Sequence, residues 1–535
     1  MYKIRFIKQK LSCILAILIL LSSCDKGLEE MNKNPNAYEV PVIESVFSSA
    51  ILRHCGQSGN PNNTTDPNSK QAGSWMQYNA SLAPVEWYGE KYLWRQGYYD
   101  RFWNYCYQID LKELTDVINL TKDDPSMSNL YNTARILRVE VLHRITDMYG
   151  DVPYSEAGKG ATDKIYKPKY DKQSDIYADM LKELEEAANA LDPSKRTWGP
   201  GDFIYYGNLN KWKTMAYSLM LRLGMRLTKV NAGMAETWVK KAIAGGVMKS
   251  NDDIPLVKHY ATNGTTWNCQ SDLLQKAEGV PPSAQGKGLF KLNKTFIDHL
   301  LGTKDPRLPF YSTLWQGNAD LSKLSIYSDP AIQKGMPGGQ DAATMKDIIP
   351  DWNDDMRPGF SEINLWTICH LEAPSVFQSY SEVEYLLAEA ALRKWGAPLS
   401  AKEHYERGVR ASMLAQTLFP NSPTAEEAID MSNKYLIANP YIEGGFDVEM
   451  EQIHTQMWAS LYMFLNNMEV WANWRRTGYP KLTPHNYPGN MTGGTIPRRV
   501  TYSTTEHALN AENYAAANAI QGPDLFTTRI WWDKE

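Results

Sequence analysis

The chain is poor in the residues from which most metal and catalytic centres are built. Its 535 residues include only six cysteines and nine histidines, without a CxxC pair or a cysteine and histidine cluster at zinc-ligand spacing. A structural zinc site is therefore not expected. The sequence also lacks a nucleophile elbow, a Walker loop, a dinucleotide fingerprint and an HExxH motif. None of the familiar catalytic motifs therefore points to a particular enzymatic chemistry.

Long apolar runs are also scarce, and the clearest one lies at the N-terminus. Four cations occur among the first ten residues, and the apolar stretch 11–21 that follows is shorter than the roughly 20 residues of a membrane-spanning helix. This pattern predicts an export signal over residues 1–23. The stretch ends in LSSC at 21–24, which resembles a bacterial lipobox, so we expect cleavage before Cys24 and lipid attachment to it. An ordinary secretory signal with an incidental cysteine is the alternative.

A lipid-modified Cys24 would tether the mature protein to a membrane surface, because several acyl chains on one residue hold a protein far longer than one chain does. No later segment approaches transmembrane length. Residues 24–41 are polar and are interpreted as the tether. We interpret the remaining residues, 42–535, as one helical domain.

The chain has no excess of positive charge. It contains 56 Lys and Arg against 61 Asp and Glu, a formal charge of −5, and removal of residues 1–23 takes away four cations and leaves −9. Binding to nucleic acid depends on basic side chains that neutralise phosphates. Nucleic acid is therefore not an expected partner.

Four cysteines remain in the body of the mature protein, because Cys13 leaves with the signal. They are widely spaced: Cys55, Cys106, Cys269 and Cys369. An exported protein can pair four cysteines in three ways, and buried free thiols are equally consistent with the sequence.

Helical periodicity is what the sequence has in abundance. Apolar side chains recur at three- and four-residue spacing from Ala134 to Met148, and Gly150 and Pro153 follow as stop signals. Similar stripes over 102–114, 177–191, 212–227 and 457–471 predict further helices. The sequence therefore predicts an all-α protein.

Two adjacent helices carry cap signals. Ser379 with Glu382 and Ser400 with Glu403 fit capping boxes, so a helical hairpin is predicted here. Its length of about 35 residues is that of a tetratricopeptide unit, and the earlier stripes are interpreted as degenerate copies. Carboxylate pairs on these helices, such as Glu382 with Glu384, are expected to be solvated rather than catalytic.

Two stretches break the helical pattern. Residues 56–70, GQSGNPNNTTDPNSK, have little apolar surface and are predicted to be an exposed loop. Residues 245–374 are rich in Gly, Pro, Asn and Asp and contain scattered tryptophans. Irregular segments of this length are usually functional or disordered, and the aromatic rings argue against disorder.

Aromatic residues are unusually frequent, with 17 Trp and 31 Tyr. Aromatic rings stack on the flat apolar faces of ligands such as sugars, although any single ring can instead fill a helical core. Rings that lie among Pro and Gly are harder to explain as packing. The predicted ligand-binding residues are Trp75, Trp87, Tyr88 and Trp94, joined across a surface cleft by Trp267 and Trp315.

One metal pattern is present. Asp351, Asn353, Asp355 and Glu362 occupy positions one, three, five and twelve of a calcium-loop spacing, in which alternate oxygens converge on a hard cation. The sixth position is Met356 rather than glycine, which departs from that loop. Calcium is the one cofactor that the sequence suggests.

Eight passages, in order from end to end, resemble the SusD/RagB family of nutrient-binding lipoproteins, in particular its SusD-like subgroup. They are NKNPNAYEV at 32–40, YGDVPYSEA at 149–157, KDPRLPFY at 304–311, SEVEYLLAEAALRKWG at 381–396, AKEHYERGVRASM at 401–413, WANWRRTGYPKLTP at 471–484, IPRRVTYSTTEHALNAENY at 496–514 and RIWWD at 529–533.

The resemblance implies a scaffold of tetratricopeptide-like helical hairpins with a loop-rich, more variable half. It also implies a lipoprotein on the outer face of the outer membrane that delivers glycan or peptide to a SusC-like TonB-dependent transporter. Asp25 departs from this pattern, because an acid after the lipidated cysteine retains some lipoproteins at the inner membrane. The acidic Glu29 and Glu30 nearby nevertheless resemble surface-export tethers. The alternatives are an exported α-helical glycoside hydrolase or lyase, and a transporter lid without ligand affinity.

Overall fold

The computed structural model describes residues 42–56, 62–82, 89–262, 266–276, 290–314 and 320–535. The predicted signal, the lipidated Cys24 and the tether lie outside these residues and remain predictions. The chain divides into the units Met1–Ser45 and Val46–Glu535, and the second unit contains all of the described structure except residues 42–45. Within the described residues, no helix combines the length and apolar character that crossing a membrane requires.

The first half of the described chain is mostly helical. Its α-helices are α1 Ile43–His54, α2 Asn62–Thr65, α3 Gly73–Trp75, α4 Gln96–Tyr105, α5 Leu111–Thr121, α6 Ser128–Tyr149, α7 Gly160–Asp163, α8 Gln173–Asn189, α9 Leu209–Arg226 and α10 Ala232–Gly245. Two π-helical stretches, Asp66–Ala72 and Cys106–Asp110, continue α2 and α4.

The second half contains short helices, then long ones. They are α11 Cys269–Lys276, α12 Lys294–Gly302, α13 Leu308–Tyr311, α14 Leu324–Tyr327, α15 Met345–Ile348, α16 Tyr380–Leu392, α17 Ala401–Ala415, α18 Ala425–Ala438, α19 Phe446–Leu461, α20 Asn467–Thr477, α21 Thr504–Leu509 and α22 Ala511–Gln521. Single 3₁₀ turns lie at Gly89–Lys91, Pro125–Met127, Gly199–Gly201, Asn251–Asp253, Leu321–Lys323, Pro330–Ile332, Gln416–Leu418 and Tyr462–Phe464, with a longer one at Asp354–Gly359.

The long helices pack as consecutive pairs. α5 packs on α6, α8 on α9, α9 on α10, α16 on α17 and α17 on α18, while α6 and α19 connect the pairs by packing on α8 and α16. These helices thus bury their apolar stripes against one another. The prediction of an all-α scaffold of tetratricopeptide-like hairpins is confirmed.

Helix α6 is a buried helix with a sharp end, as the periodicity predicted. Ala134 and Met148, at the two ends of the predicted stripe, are both buried. The helix stops at Gly150, whose φ of 85° suits glycine, and a Cβ there would lie 1.8 Å from Oε1 of Gln521. That same oxygen accepts a hydrogen bond from the backbone N–H of Asp151 at 2.6 Å. The turn after α6 is therefore fixed to the end of α22.

The two predicted helix caps differ in the structure. Ser400 and Glu403 form a complete capping box at the start of α17. Ser379 also caps α16, accepting from the N–H of Glu382 at 3.1 Å, but the Glu382 side chain is buried and does not return to the cap. Glu384 is buried as well, with its carboxylate 2.6 Å from Nδ1 of His404. The predicted solvated position of these two carboxylates is therefore wrong.

Short strands form ladders between the helices. The strands are β1 Asn79–Ser81, β2 Val152–Pro153, β3 Tyr170–Asp171, β4 Leu256–Val257, β5 Phe290–Leu292, β6 Ser312–Thr313, β7 Glu362–Ile363 and β8 Ser375–Val376. They pair antiparallel as β1–β5, β2–β3, β4–β8 and β6–β7. β5 and β7 also lie side by side, since the Leu292 N–H donates to the Ser361 carbonyl at 2.9 Å and Lys291 forms an ion pair with Glu362.

The predicted exposed loop at 56–70 is wrong for most of its described part. Residues 66–72 form a π-helical stretch in which all seven side chains are buried, including Asp66 and Lys70. Asn68 anchors this stretch because its Oδ1 accepts from the N–H groups of Asn467 at 2.6 Å and Met468 at 3.1 Å. Tertiary hydrogen bonds thus replace the water that the composition suggested.

Candidate ligand-binding surface

Trp75 has a packing role rather than the predicted ligand-facing one. Its side chain is 0% exposed, and its ring lies 4.6 Å from that of Trp471. Its indole N–H donates to the Gly89 carbonyl at 3.1 Å. Because the ring is packed and its indole N–H is hydrogen-bonded inside the protein, Trp75 offers no surface to an outside ligand.

Trp94 keeps a partly open position. It is half-buried and lies just before α4, in an extended segment that ends at Arg95. Four residues later, Tyr98 is also half-buried. The structure therefore retains Trp94 as a candidate, with Tyr98 as a ring that the sequence analysis did not select.

Tyr98 is surrounded by cations. Lys70 Nζ lies 5.2 Å from its ring centroid, and the guanidinium carbons of Arg95 and Arg101 lie 5.2 and 4.9 Å from it. Asp66 forms ion pairs with Lys70, at 2.9 Å, and with Arg101. Aromatic faces with nearby guanidinium donors suit a ligand that combines apolar faces with hydroxyl groups.

Trp267 lies in a second aromatic turn. The Tyr260 N–H donates to the Thr266 carbonyl at 3.0 Å, and the Thr266 hydroxyl donates to the Tyr260 carbonyl at 2.5 Å. This closes a turn that carries Tyr260, 52% exposed, at one end and the half-buried Trp267 at the other. The next residue, Asn268, bonds the Ala373 carbonyl through its side-chain amide at 2.9 Å.

Burial also changes the pKa of a histidine, His259, beside this turn. His259 precedes Tyr260, and its Nε2 lies 2.9 Å from the Ser375 hydroxyl. Burial lowers the pKa of His259 to about 4, although a hydrogen bond that the imidazole donates to the Thr266 backbone opposes the shift. The imidazole is therefore neutral at physiological pH and acts as a hydrogen-bonding support for the turn.

The two aromatic positions adjoin helices that share a neighbour. Trp94 precedes α4 and Trp267 precedes α11, and both helices pack on α2. The remaining predicted rings, Trp87, Tyr88 and Trp315, lie outside the described residues and stay predictions.

Two further exposed rings were missed by sequence reasoning. Tyr206 is 61% exposed at a φ of 53°, and Tyr166 is 74% exposed. The turn that presents Tyr206 is built by Asp202, whose carboxylate accepts from the N–H groups of Ile204 at 2.9 Å and Gly207 at 2.9 Å. The usable signal was the aspartate followed by a Tyr-Tyr-Gly turn, which fixes backbone and leaves a ring outside.

The predicted calcium residues have other roles in the structure. Asp351 and Asp355 are exposed, and Asn353 caps a 3₁₀ helix by accepting from the Asp355 N–H at 3.0 Å. Glu362 is buried on β7 in its ion pair with Lys291. The calcium site stays a prediction, with Glu362 already neutralised by a cation.

Among the described residues, one group of metal-ligand type comes together: His143, Asp147 and Glu469, with ligand atoms within 4.8 Å of one another. Two guanidinium groups already neutralise it, since Arg226 lies 3.3 Å from Asp147 and 2.5 Å from Glu469, and Arg222 lies 3.4 Å from Glu469. A metal cation would be repelled by both. We interpret the group as part of a buried ion-pair network.

Comparison with known proteins gives consistent results. A SusD-like family model, described as starch-binding and associating with the outer membrane, matches residues 35–503. A solved chitin-binding protein is 31% identical, covering 92% of this chain and 100% of its own, with a TM-score of 0.78. A SusD-like structure described as Bacteroidetes AC2a is 27% identical over 92% of this chain and 100% of its own, with a TM-score of 0.77.

A third structure shows the same fold at lower identity. It is a chitin-binding SusD homologue from Flavobacterium johnsoniae, 24% identical, covering 92% of this chain and 99% of its own, with a TM-score of 0.74. No match was found among curated proteins.

Proposed function

This chain belongs to the SusD-like family, and we propose that it is a cell-surface lipoprotein that captures oligosaccharides for a SusC-like TonB-dependent transporter of the outer membrane. The family description names starch, and the relative at 31% identity binds chitin. Starch and chitin oligosaccharides are therefore the first ligands to test, with peptides as the less favoured class.

The observation that carries this proposal is the turn with Tyr260 at one end and Trp267 at the other. Its two rings are partly open, and its backbone is closed by the bonds between Tyr260 and Thr266. An aromatic side chain has few rotatable bonds and loses little conformational freedom on binding, and its apolar face matches the axial C–H face of a sugar. The cation-lined Tyr98 beside α2 adds hydrogen-bond donors for hydroxyl groups.

The structural roles of Glu382 and Glu384 support a protein that binds glycan without cleaving it. A glycosidase needs two carboxyl groups facing each other across the scissile bond. Glu382 is held by Arg222 at 2.7 Å, and Glu384 accepts from the Tyr380 hydroxyl at 2.6 Å and lies 2.6 Å from His404. These carboxylates serve as buried structural partners, which favours a binding role over the glycoside hydrolase or lyase alternative.

Lipid attachment at Cys24 and the polar tether at 24–41 complete the proposal. Such an anchor leaves the binding domain at the membrane surface, where a transporter can receive its ligand. A lid without affinity of its own remains the alternative that the binding experiment addresses.

The test is calorimetry with soluble protein that begins after Cys24, titrated with malto-oligosaccharides, chito-oligosaccharides and peptides, with product analysis on the same samples. We expect heat of binding with one glycan series and no new reducing ends. Trp267→Ala and Tyr260→Ala should each weaken binding about tenfold, the loss of one stacking contact. Trp238→Ala is the matched control, because this half-buried ring lies on α10 under Lys241.

The outcomes separate the alternatives. Unchanged affinity in both turn variants would remove this turn from the site. Cleaved products would establish the glycoside hydrolase or lyase alternative. Absence of binding heat with every ligand would favour the transporter lid without ligand affinity.

A further inference from the structure

Cys55 and Cys269 lie against each other where α1 ends and α11 begins. The Cys269 thiol donates to the Cys55 carbonyl oxygen, with Sγ 3.2 Å from that oxygen. A Cβ placed on the next residue, Gly56, would lie 2.8 Å from the same sulfur. The Cys269 sulfur is therefore packed on the peptide unit that joins Cys55 to Gly56, although 214 residues separate the two cysteines.

The other two cysteines have different neighbours. Cys106 is buried at the start of the π-helical stretch Cys106–Asp110, where Asp110 and Arg144 are the charged groups that act on it. The Cys369 sulfur lies 3.9 Å from the Ser271 carbonyl. Of the four cysteines, all within the described residues, Cys55 and Cys269 are the two whose thiols influence each other electrostatically.

Space for a change of side-chain rotamer exists beside Cys55. The Cys55 thiol is hydrogen-bonded to Ser375, and both residues line a cavity of about 70 Å³. Thr64, Asn268 and Gln270, which surround Cys269, line the same cavity. The cavity therefore leaves unfilled volume beside the Cys55 side chain and beside the residues that flank Cys269.

We propose that Cys55 and Cys269 are a site of oxidative modification, at which a disulfide bond forms when the protein is exported to the cell envelope. Two thiols lose two protons and two electrons, one S–S bond forms, and an envelope disulfide donor accepts the electrons and protons and becomes two thiols. The proposal is independent of the ligand. It places one bond among the four cysteines whose state the sequence left open, and it leaves Cys106 and Cys369 reduced.

The environment of the pair sets when the bond forms. Burial raises the pKa of both Cys55 and Cys269 to about 12, so little thiolate is present in the folded protein at neutral pH. Thiolate is the species that attacks a disulfide. Oxidation therefore accompanies folding during export, and the folded, reduced protein reacts slowly.

The experiment compares the whole mature chain produced by export to a bacterial periplasm with the same chain produced in a reducing cytosol. Each sample is unfolded in the presence of an alkylating reagent, digested without reductant and analysed by mass spectrometry. We expect the exported protein to yield one linked peptide pair, Cys55 with Cys269, and alkylated Cys106 and Cys369. Four alkylated cysteines in the exported protein, or any other linkage, would overturn the proposal.

Thermal unfolding supplies a second readout. A bond that closes a loop of this length restricts the unfolded chain strongly, so reductant should lower the Tm of the exported protein by several degrees. Cys269→Ser should have the lower Tm with or without reductant. Cys369→Ser is the matched control and should keep the sensitivity to reductant. Equal Tm values with and without reductant in the unsubstituted protein would also contradict the proposal.

Discussion

Arg222 and Glu382 form a two-pronged ion pair inside the helical body. Nε of Arg222 lies 2.7 Å from Oε1 of Glu382, and Nη2 lies 2.8 Å from Oε2. Neither side chain is more than 1% exposed, and the same guanidinium reaches Glu469 at 3.4 Å. The pair links α9 to α16, which are 160 residues apart in sequence. It therefore connects the helices of the first half of the chain to those of the second half through the protein interior.

Glu382→Ala should destabilise the protein by about 3–5 kcal/mol, because removal of one partner leaves the other charge buried and uncompensated. The change is measured as the free energy of unfolding in urea. The control is Glu185→Ala, which removes a 2.8 Å ion pair with Lys241 whose two side chains are 31% and 42% exposed. That control should cost less than about 1 kcal/mol. Equal losses in the two variants would contradict the structural role given to the buried pair.

Helices and their hairpin order were predictable because their signals are local. The stripe from Ala134 to Met148 repeats within one helix, and the capping box of Ser400 and Glu403 spans four residues. The role of Glu382 was not predictable in the same way. Its spacing from Ser379 matches a capping box, yet its carboxylate binds an arginine far away in sequence. Local patterns do not contain such long-range partners.

The π-helical stretch 66–72 was missed for a related reason. Its residues, DPNSKQA, have the composition of a loop, and sequence rules assign such side chains to water. In the structure both polar atoms of the Asn68 side chain are hydrogen-bonded. Oδ1 accepts from two backbone N–H groups at the start of α20, and Nδ2 donates to Gln270 and to the Leu465 carbonyl. Polar residues can thus fill an interior when the partners come from elsewhere in the chain.

Asn68→Ala tests this interpretation. The substitution leaves the N–H groups of Asn467 and Met468 buried without an acceptor, and each such group costs about 1–3 kcal/mol. We expect the free energy of unfolding to fall by at least 2 kcal/mol. Asn119→Ala is the control, because Asn119 accepts an exposed hydrogen bond from Lys122 at 3.3 Å. A loss of stability in Asn119→Ala as large as in Asn68→Ala would refute the anchoring role.

The predicted aromatic site was only partly readable from sequence. Composition marks a residue as a ring but does not say which side of it is covered. Trp75 and Trp94 lie in the same aromatic run, yet the structure buries the first against Trp471 and leaves the second half-open. Tyr260 was missed because its exposure, 52%, is a property of the tertiary structure that the surrounding sequence does not encode locally.

Trp75→Ala and Trp94→Ala should therefore have opposite effects. Loss of the buried Trp75 ring should cost about 3–5 kcal/mol of stability, measured by urea unfolding. Loss of Trp94 should leave stability within about 1 kcal/mol and weaken glycan binding, measured by calorimetry. A stable Trp75→Ala protein with weakened binding would reverse the two assignments.

His259 should make stability depend on pH in a defined window. Burial lowers its pKa from the ordinary 6.5 to about 4, so between these values the unfolded chain binds a proton that the folded protein does not. The stabilising contribution of the neutral, buried imidazole is complete above pH 6.5 and is lost as the pH falls toward 4, by about 3 kcal/mol at most. The measurement is the free energy of unfolding at intervals across this window.

His259→Gln should reduce that pH dependence, because glutamine retains a hydrogen-bonding group for Ser375 but does not titrate. Burial also lowers the pKa of His143, His299, His454 and His485, so these groups should maintain the rest of the slope. His507→Gln is the matched control, since this side chain is 47% exposed. The control should keep the slope of the unsubstituted protein. An unchanged slope in His259→Gln would contradict a contribution from His259. Because His259 is next to Tyr260, a confirmed slope would also predict weaker glycan binding near pH 4, where protonation loosens the turn that holds the ring.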